Sequence, residues 1–202
     1  MDKPCAPACD RNREPILAAL RDHFADRSKV LEIGSGTGQL AVHFAAAMPH
    51  LAWQCSDRDE NLPGIRMWLD EAALPNTPAP LSFDVNGQWP ERRYDAVFSA
   101  NTLHIMGWPE VERLFAGLPA ILAPDAKLAI YGPFNVGGRH TSEGNASFDA
   151  SLKAKSPHQG LRDVEAVNAL ARRAGLALVE DRAMPANNRC LVWRRPAPAA
   201  AG

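Results

Sequence analysis

The chain has 202 residues, 46% hydrophobic and 22% charged, the balance of an ordinary globular protein built on one main core. With 22 basic against 23 acidic residues its formal net charge is −1, which gives a nucleic-acid partner no electrostatic footprint. No apolar run reaches membrane-spanning length and Met1-Asp2-Lys3-Pro4-Cys5 lacks the apolar centre of a secretory signal, so no membrane partner is expected and the cytoplasm is the expected compartment.

In chain order, Ile16, Leu17, Leu20 and Phe24 recur at helical spacing and predict an amphipathic helix over residues 14–24. A buried strand over 30–33 runs into Gly34-Ser35-Gly36-Thr37-Gly38, then into a helix through Leu40, Val42, Phe44 and Ala45 that Pro49 stops. A strand over 51–56 ends at Asp57-Arg58-Asp59, and a helix follows over 62–73. The next strands, 81–83 and 94–99, end at Asp84 and at Ala100-Asn101; a helix over 109–122 leads to a strand over 127–131. Such alternation predicts a mostly parallel sheet with helices on both faces. Residues 132–147, rich in Gly, Asn, His and Arg, are expected to form a long loop, followed by helices over 147–155 and 163–174. Strand-like runs over 176–181 and 189–194 predict a closing antiparallel hairpin, and 196–202, only Pro, Ala and Gly, a disordered tail. The whole reads as a single domain over 1–195, in which residues 1–25 carry the first helix and a candidate lid.

The glycine-rich turn carries the chemistry. Gly34 and Gly36 have no Cβ and let the backbone turn sharply and approach a ligand; Gly38 is expected to let the next helix pack closely on the strand. Dinucleotide sites show G-x-G-x-x-G, whereas here the glycines alternate as G-x-G-x-G with Glu32 two residues ahead of the first. A carboxylate at that mouth is unhelpful to a pyrophosphate and suits a ligand bearing an ammonium and a sulfonium. In a doubly wound sheet, ligands sit beyond the carboxyl ends of the strands, which selects Asp57 and Arg58, Asp84 and Val85, and Asn101.

The E-x-G-x-G-x-G pattern of Glu32 to Gly38 resembles the first motif of class I S-adenosylmethionine-dependent methyltransferases, and the order of elements has the same layout from the first helix to Trp193. The stretches 11–17 (RNREPIL), 99–105 (SANTLHI), 131–134 (YGPF) and 184–188 (MPANN) resemble more narrowly a small methyltransferase-like family catalogued as a domain of unknown function. The resemblance implies an α/β, Rossmann-like class I methyltransferase fold, with a seven-stranded, mostly parallel sheet closed by an antiparallel C-terminal hairpin strand. It implies S-adenosyl-L-methionine as cofactor, held by Glu32, Gly34, Ser35, Gly36, Gly38, Asp57, Arg58, Asp84, Val85 and Asn101. In that scheme Asp57 accepts the ribose hydroxyls, Asp84 and Val85 flank the adenine, and Asn101 and Glu32 face the methionyl end. The reaction implied is methyl transfer to an oxygen, nitrogen or sulfur nucleophile of a small molecule, by a monomer or homodimer. A non-catalytic cofactor-binding protein acting through a partner is an alternative. A nicotinamide-dependent oxidoreductase is another, disfavoured by the glycine spacing and the hairpin ending.

His104, three residues past Asn101, is the first candidate for a general base, and Tyr131 for orienting the acceptor; both are equally open to a packing role. Candidate acceptor-binding residues are Arg11 and Asn12 in the lid, Arg139, His140 and Asn145 on the long loop, and Asn187 beside Asn188, a pair that a β-turn also explains. After the fourth strand stands Asn101-Thr102-Leu103-His104 rather than an N-P-P-Y tetrad, which argues against amino methylation of nucleobases or glutamine. Cys55 and Cys190 fall in apolar strands and read as reduced, buried thiols. Cys5 and Cys9 lack the further ligands of a closed zinc site, so no metal is expected.

Overall fold

Both faces of the central sheet are apolar, and successive residues of its strands point to opposite faces. Val30, Phe98, Ala129 and Val192 belong to one buried cluster, while their neighbours Leu31, Val97, Leu128 and Trp193 belong to the other. A strand buried on both sides has no polar alternation, which is why these segments read as continuous hydrophobic runs. The computed structural model describes residues 3–197.

The elements are α1 (Pro7–Phe24), β1 (Lys29–Ile33), α2 (Gln39–Ala47), β2 (Ala52–Asp57), α3 (Leu62–Ala72), β3 (Leu81–Ser82) and β4 (Tyr94–Ala100). There follow α4 (Trp108–Ile121), β5 (Leu122–Asn135), α5 (Glu143–Lys155), β6 (Arg162–Asp163), α6 (Val164–Arg173), β7 (Ala177–Met184) and β8 (Asn188–Arg194). The sheet runs β3-β2-β1-β4-β5-β8-β7, with the two-residue β6 pairing separately against the end of β5. β1 to β5 are parallel to one another along this path, and β8 is antiparallel to both β5 and β7. This is the Rossmann-like arrangement expected, with the hairpin at one edge. Strand order reverses between β1 and β4, so their carboxyl ends diverge and leave a crevice.

One core cluster lies under α1, α2 and α3, where Phe44, Trp53 and Phe98 meet with ring centroids 5.5–5.9 Å apart. The other lies under α4 and α6, around Leu114, Phe115, Val167 and Trp193. Among the described residues no helix is long and apolar enough to cross a membrane. Cys55 and Cys190 are fully buried thiols, and burial pushes that of Cys190 up to about 12.

Two expectations are corrected. The first helix begins at Pro7 rather than at residue 14 and runs through Pro15, forgoing one intrahelical hydrogen bond there. The long loop over 132–147 is mostly ordered structure. β5 continues to Asn135, Gly137 and Gly138 turn the chain with positive φ (58° and 73°), and Ser142 caps α5 by accepting the Asn145 N–H at 3.1 Å. Consecutive left-handed residues make the tight hairpin turn, which composition alone disguises as flexibility. The expected tail over 196–202 falls largely outside the described residues, as 198–202 are not among them.

Gly117 on α4 lies beneath Trp89, whose ring stacks edge-on against Phe83 with centroids 4.9 Å apart. An alanine there gains about 1 kcal/mol of helix propensity, but its methyl would meet the Trp89 ring at 2.1 Å. Gly117→Ala is expected to lower stability by about 1–3 kcal/mol in urea denaturation, and an unchanged midpoint would mean that Trp89 moves aside freely.

Candidate functional site

Hydroxyls from both flanking strands hold the carboxyl end of β1. Ser56 Oγ of β2 donates to the Glu32 carbonyl at 2.7 Å, and Ser99 Oγ of β4 donates to that of Ile33 at 2.8 Å. The Gly34 and Ser35 N–H groups both donate to the Ser56 carbonyl, at 3.0 and 3.1 Å. Gly34 has φ +73°, and a Cβ on it would stand 2.8 Å from Thr102 Oγ1, so the turn after β1 and the turn after β4 approach at a distance only glycine permits. Gly38 is glycine for a different neighbour than the spacing suggested: a Cβ there would stand 3.2 Å from the Ile65 Cα of α3, not against the strand. Around Gly36 the space a Cβ would take is open.

Over this turn lies a cavity of about 830 Å³. Its floor is the turn itself, Gly34 to Thr37, and its walls include Asp57, Asn61, Phe83, Asp84, Val85 and Asn101. Asp57, at the end of β2, accepts the Gly36 N–H on Oδ2 at 2.7 Å, and the Arg58 N–H and Asn61 Nδ2 on Oδ1, each at 2.8 Å. A carboxylate has about four acceptor positions, so Asp57 braces the turn and retains capacity for a ligand. Arg58 is drawn outward to Glu60 at 2.9 Å. Asp84 accepts the Asn86 N–H at 2.8 Å, while Phe83 and Val85 beside it are buried. Asn101 sits at φ +56° with its N–H on the Tyr131 carbonyl at 2.8 Å, a left-handed residue at the very end of β4.

Glu32 is the unusual group. It is two residues beyond Val30, so it points into the same apolar face, where Trp53 Nε1 donates to it at 3.0 Å and the Cys55 thiol stands 4.0 Å away. It is 2% exposed, and it also contributes to the cavity wall. Burial pushes its carboxyl up to about 7, against the opposing pull of hydrogen bonds from Trp53 and Ser35.

The structure brings Glu32, Gly34, Ser35, Gly36, Asp57, Arg58, Asp84, Val85 and Asn101 to this one cavity. It does not bring the other predicted residues there. His104 is buried behind the wall with its ring edge-on to Phe148, and burial takes its imidazole down to about 4. Tyr131 is buried in the core under α1, and burial pushes its phenol up to about 12. Arg11 and Asn12 lie on α1 outside the cavity; the N-terminal residues that do border it are Pro4, Ala6, Ala8 and Cys9. This segment is held by Trp68 Nε1 on the Pro4 carbonyl at 2.7 Å and by the Ala6 N–H on Gln39 Oε1 at 2.6 Å. Arg139 closes the Gly137-Gly138 turn, His140 bonds Asp149 at 3.0 Å, and Asn187 sits in a left-handed turn whose carbonyl accepts from Asn145 at 3.2 Å. Reading the sequence passed over Ile105, Met106, His158 and Gln159, all of which line the cavity. The one available signal was the Ser156-Pro157-His158-Gln159-Gly160 break between two helices, since a Pro- and Gly-bounded loop is where side chains are free to face a site.

A family model matches residues 3–195, nearly the entire chain. The chain belongs to DUF938, a family of proteins of unknown function. Solved structures with the same fold include an O-methyltransferase family protein from Burkholderia thailandensis, 18% identical, with a TM-score of 0.83 over 94% of this DUF938 chain and 58% of that one. The mitomycin 7-O-methyltransferase MmcR is 20% identical, with a TM-score of 0.82 over 93% of this chain and 54% of its own. Human N-acetylserotonin methyltransferase, solved in complex with S-adenosylmethionine, is 14% identical, with a TM-score of 0.80 over 94% of this chain and 53% of its own. At these identities the likeness shows the methyltransferase fold, and the DUF938 chain spans little more than half the length of each.

The buried Glu32 makes stability depend on pH. Its folded-state pKa lies above the usual glutamate value of 4.5, so the native state holds the proton more tightly and stability falls as pH rises from about 4.5 through 7. Glu32→Gln keeps an acceptor for Trp53 and removes the ionisation. It is expected to stabilise the ligand-free protein by up to about 3 kcal/mol at pH 8 and by little near pH 5; equal denaturation midpoints for both proteins at both pH values would contradict this.

Proposed function

We propose that this DUF938 protein is an S-adenosylmethionine-dependent methyltransferase acting on an oxygen, nitrogen or sulfur nucleophile of a small molecule. One observation carries the reading: at the switch point of the sheet, an open glycine turn and two carboxylates, Glu32 and Asp57, face the same cavity. The residues present fit the cofactor. Asp57 retains acceptor capacity for a ribose diol, Glu32 offers a buried negative charge to an ammonium, and Phe83 and Val85 offer apolar surface to an adenine with Asp84 beside them. Bound there, S-adenosylmethionine supplies a methyl group already activated on a sulfonium.

The protein's own part is then to hold the acceptor in line and to exclude water. Such alignment is worth about 7–11 kcal/mol, so no acid–base pair is obligatory. In this reading the buried His104 and Tyr131 act by shaping the wall, since neither side chain lines the cavity. The methyltransferases of the same fold support the reading through their architecture.

Calorimetric titration with S-adenosylmethionine, its demethylated product and reduced nicotinamide cofactor tests it. The first two are expected to bind and the third not; binding of the nicotinamide alone would overturn the proposal. Asp57→Ala removes a charge-assisted acceptor worth about 1.5–3 kcal/mol, and is expected to weaken the cofactor about tenfold to a hundredfold. Because a cationic ligand favours ionised Glu32, binding near pH 6 is expected to release a proton and to tighten toward about pH 8. Glu32→Gln should abolish both effects.

A further inference from the structure

The cavity continues beyond the glycine turn, and its outer part has a different chemistry. Pro4 and Ala8 of the N-terminal segment line it, as do Ile105, Met106, His158 and Gln159 from two segments that Arg162 joins. Ile105 is 46% exposed although it is large and apolar. One exposed isoleucine is ordinary on a surface, but here it lines a cavity in company with Pro4, Ala8 and Met106.

Charge is distributed just as unevenly. Glu32, Asp57, Glu60, Asp84 and Glu110 line the cavity, whereas among the described residues Arg58 is the only lysine or arginine that does, and Glu60 pairs with it at 2.9 Å. Glu110 lines the cavity beside Gly107 and His158, its carboxylate accepting the Gly107 N–H at 2.7 Å and Asn86 Nδ2 at 3.3 Å. Arg162 could have supplied a cation, but its guanidinium is turned into the wall. It donates to the carbonyls of Leu103 at 3.2 Å, of His158 at 2.9 Å, and of Met106. Arg162 therefore staples the 103–106 segment to the 156–160 segment, its guanidinium spent on backbone carbonyls and not on the cavity lining. A concave, partly apolar site lined by one sign of charge repels ligands of that sign.

From this we infer that the methyl acceptor is a small, largely apolar molecule, uncharged or cationic, seated between Pro4–Ala8 and Ile105–Met106. Carboxylate- and phosphate-bearing molecules are shut out. The inference rests on the methyltransferase reading of the inner cavity, because only a bound cofactor makes the outer part an acceptor site. A neutral hydroxyl, thiol or amine finds polar partners there in His158, Gln159 and Asn101, whereas an anion faces Glu110 and Asp84 with no lysine or arginine other than the Glu60-paired Arg58 on the lining among the described residues.

The test uses three probes of one skeleton, 2-naphthol, 2-naphthylmethylamine and 2-naphthoate, titrated at neutral pH into the full chain saturated with S-adenosylhomocysteine. Naphthol and the amine are expected to bind at least about tenfold more tightly than the carboxylate. Ile105→Lys, at a position exposed enough to tolerate the change, should bring the carboxylate to within about threefold of naphthol. Equal or tighter binding of naphthoate to the unsubstituted protein, no binding of any probe, or a lysine variant that still refuses naphthoate would each overturn the inference. Titration of S-adenosylhomocysteine on the same preparation reports separately on the methyltransferase reading. Its failure to bind defeats that reading, whereas its binding together with the wrong probe order defeats only the acceptor class.

Discussion

The Gly36 N–H donates to Asp57 Oδ2 at 2.7 Å, and this hydrogen bond joins the two turns on which the carboxyl end of the sheet depends. It links the loop after β1 to the last residue of β2, and gives the Gly36 N–H a charged acceptor in a part-buried setting. The same carboxylate reaches the Arg58 N–H and Asn61 and so orients the entry to α3, whose Ile65 backbone packs on Gly38. One acid thus sets the floor of the cavity and the position of one wall, and still keeps an oxygen face toward the cavity. The serine hydroxyls of β2 and β4 complete the arrangement by tying β1 to both neighbours just below the turn.

Glu32 is where the fold departs from the rule that governs the rest of the sheet. Every neighbour on its face is apolar, yet it places a carboxyl among Trp53, Cys55 and Phe98. Such a group raises the free energy of the native state when ionised, and chains retain such groups where a ligand offsets the cost. Its position beside the open glycine turn gives that ligand a place to enter.

The N-terminal segment decides how much of the crevice is enclosed. Pro4 rests on Gly64, where a Cβ would come within 2.6 Å of its ring, and Gln39 holds the Ala6 N–H while its amide donates to the Cys5 sulfur at 3.4 Å. Pro4 to Cys9 thereby becomes a wall of the site, and Arg162 does the equivalent work for residues 103–106 and 156–160. Neither device places a cationic side chain on the lining, which among the described residues carries five carboxylates and one arginine.

The alternation of strands and helices, the glycine turn and the acids at the strand ends were legible in the sequence. Each follows from a local period or from a single residue's conformational freedom, and such properties do not depend on distant contacts. Three things were decided only by the tertiary structure. Gly137 and Gly138 make a tight turn rather than a long loop because Val136 and Arg139, just past the end of β5, exchange backbone hydrogen bonds of 3.0 and 3.1 Å across it. His104 lies behind the wall while His158, more than fifty positions along, reaches the cavity, because Arg162 and the Gly160 N–H on the His104 carbonyl at 3.0 Å clamp the two segments together. Which glycine is needed for which neighbour, Thr102 for Gly34 and Ile65 for Gly38, likewise follows from long-range packing. Local periodicity specifies the elements, but the facing of a side chain in a loop is set by whatever the folded chain lays across it.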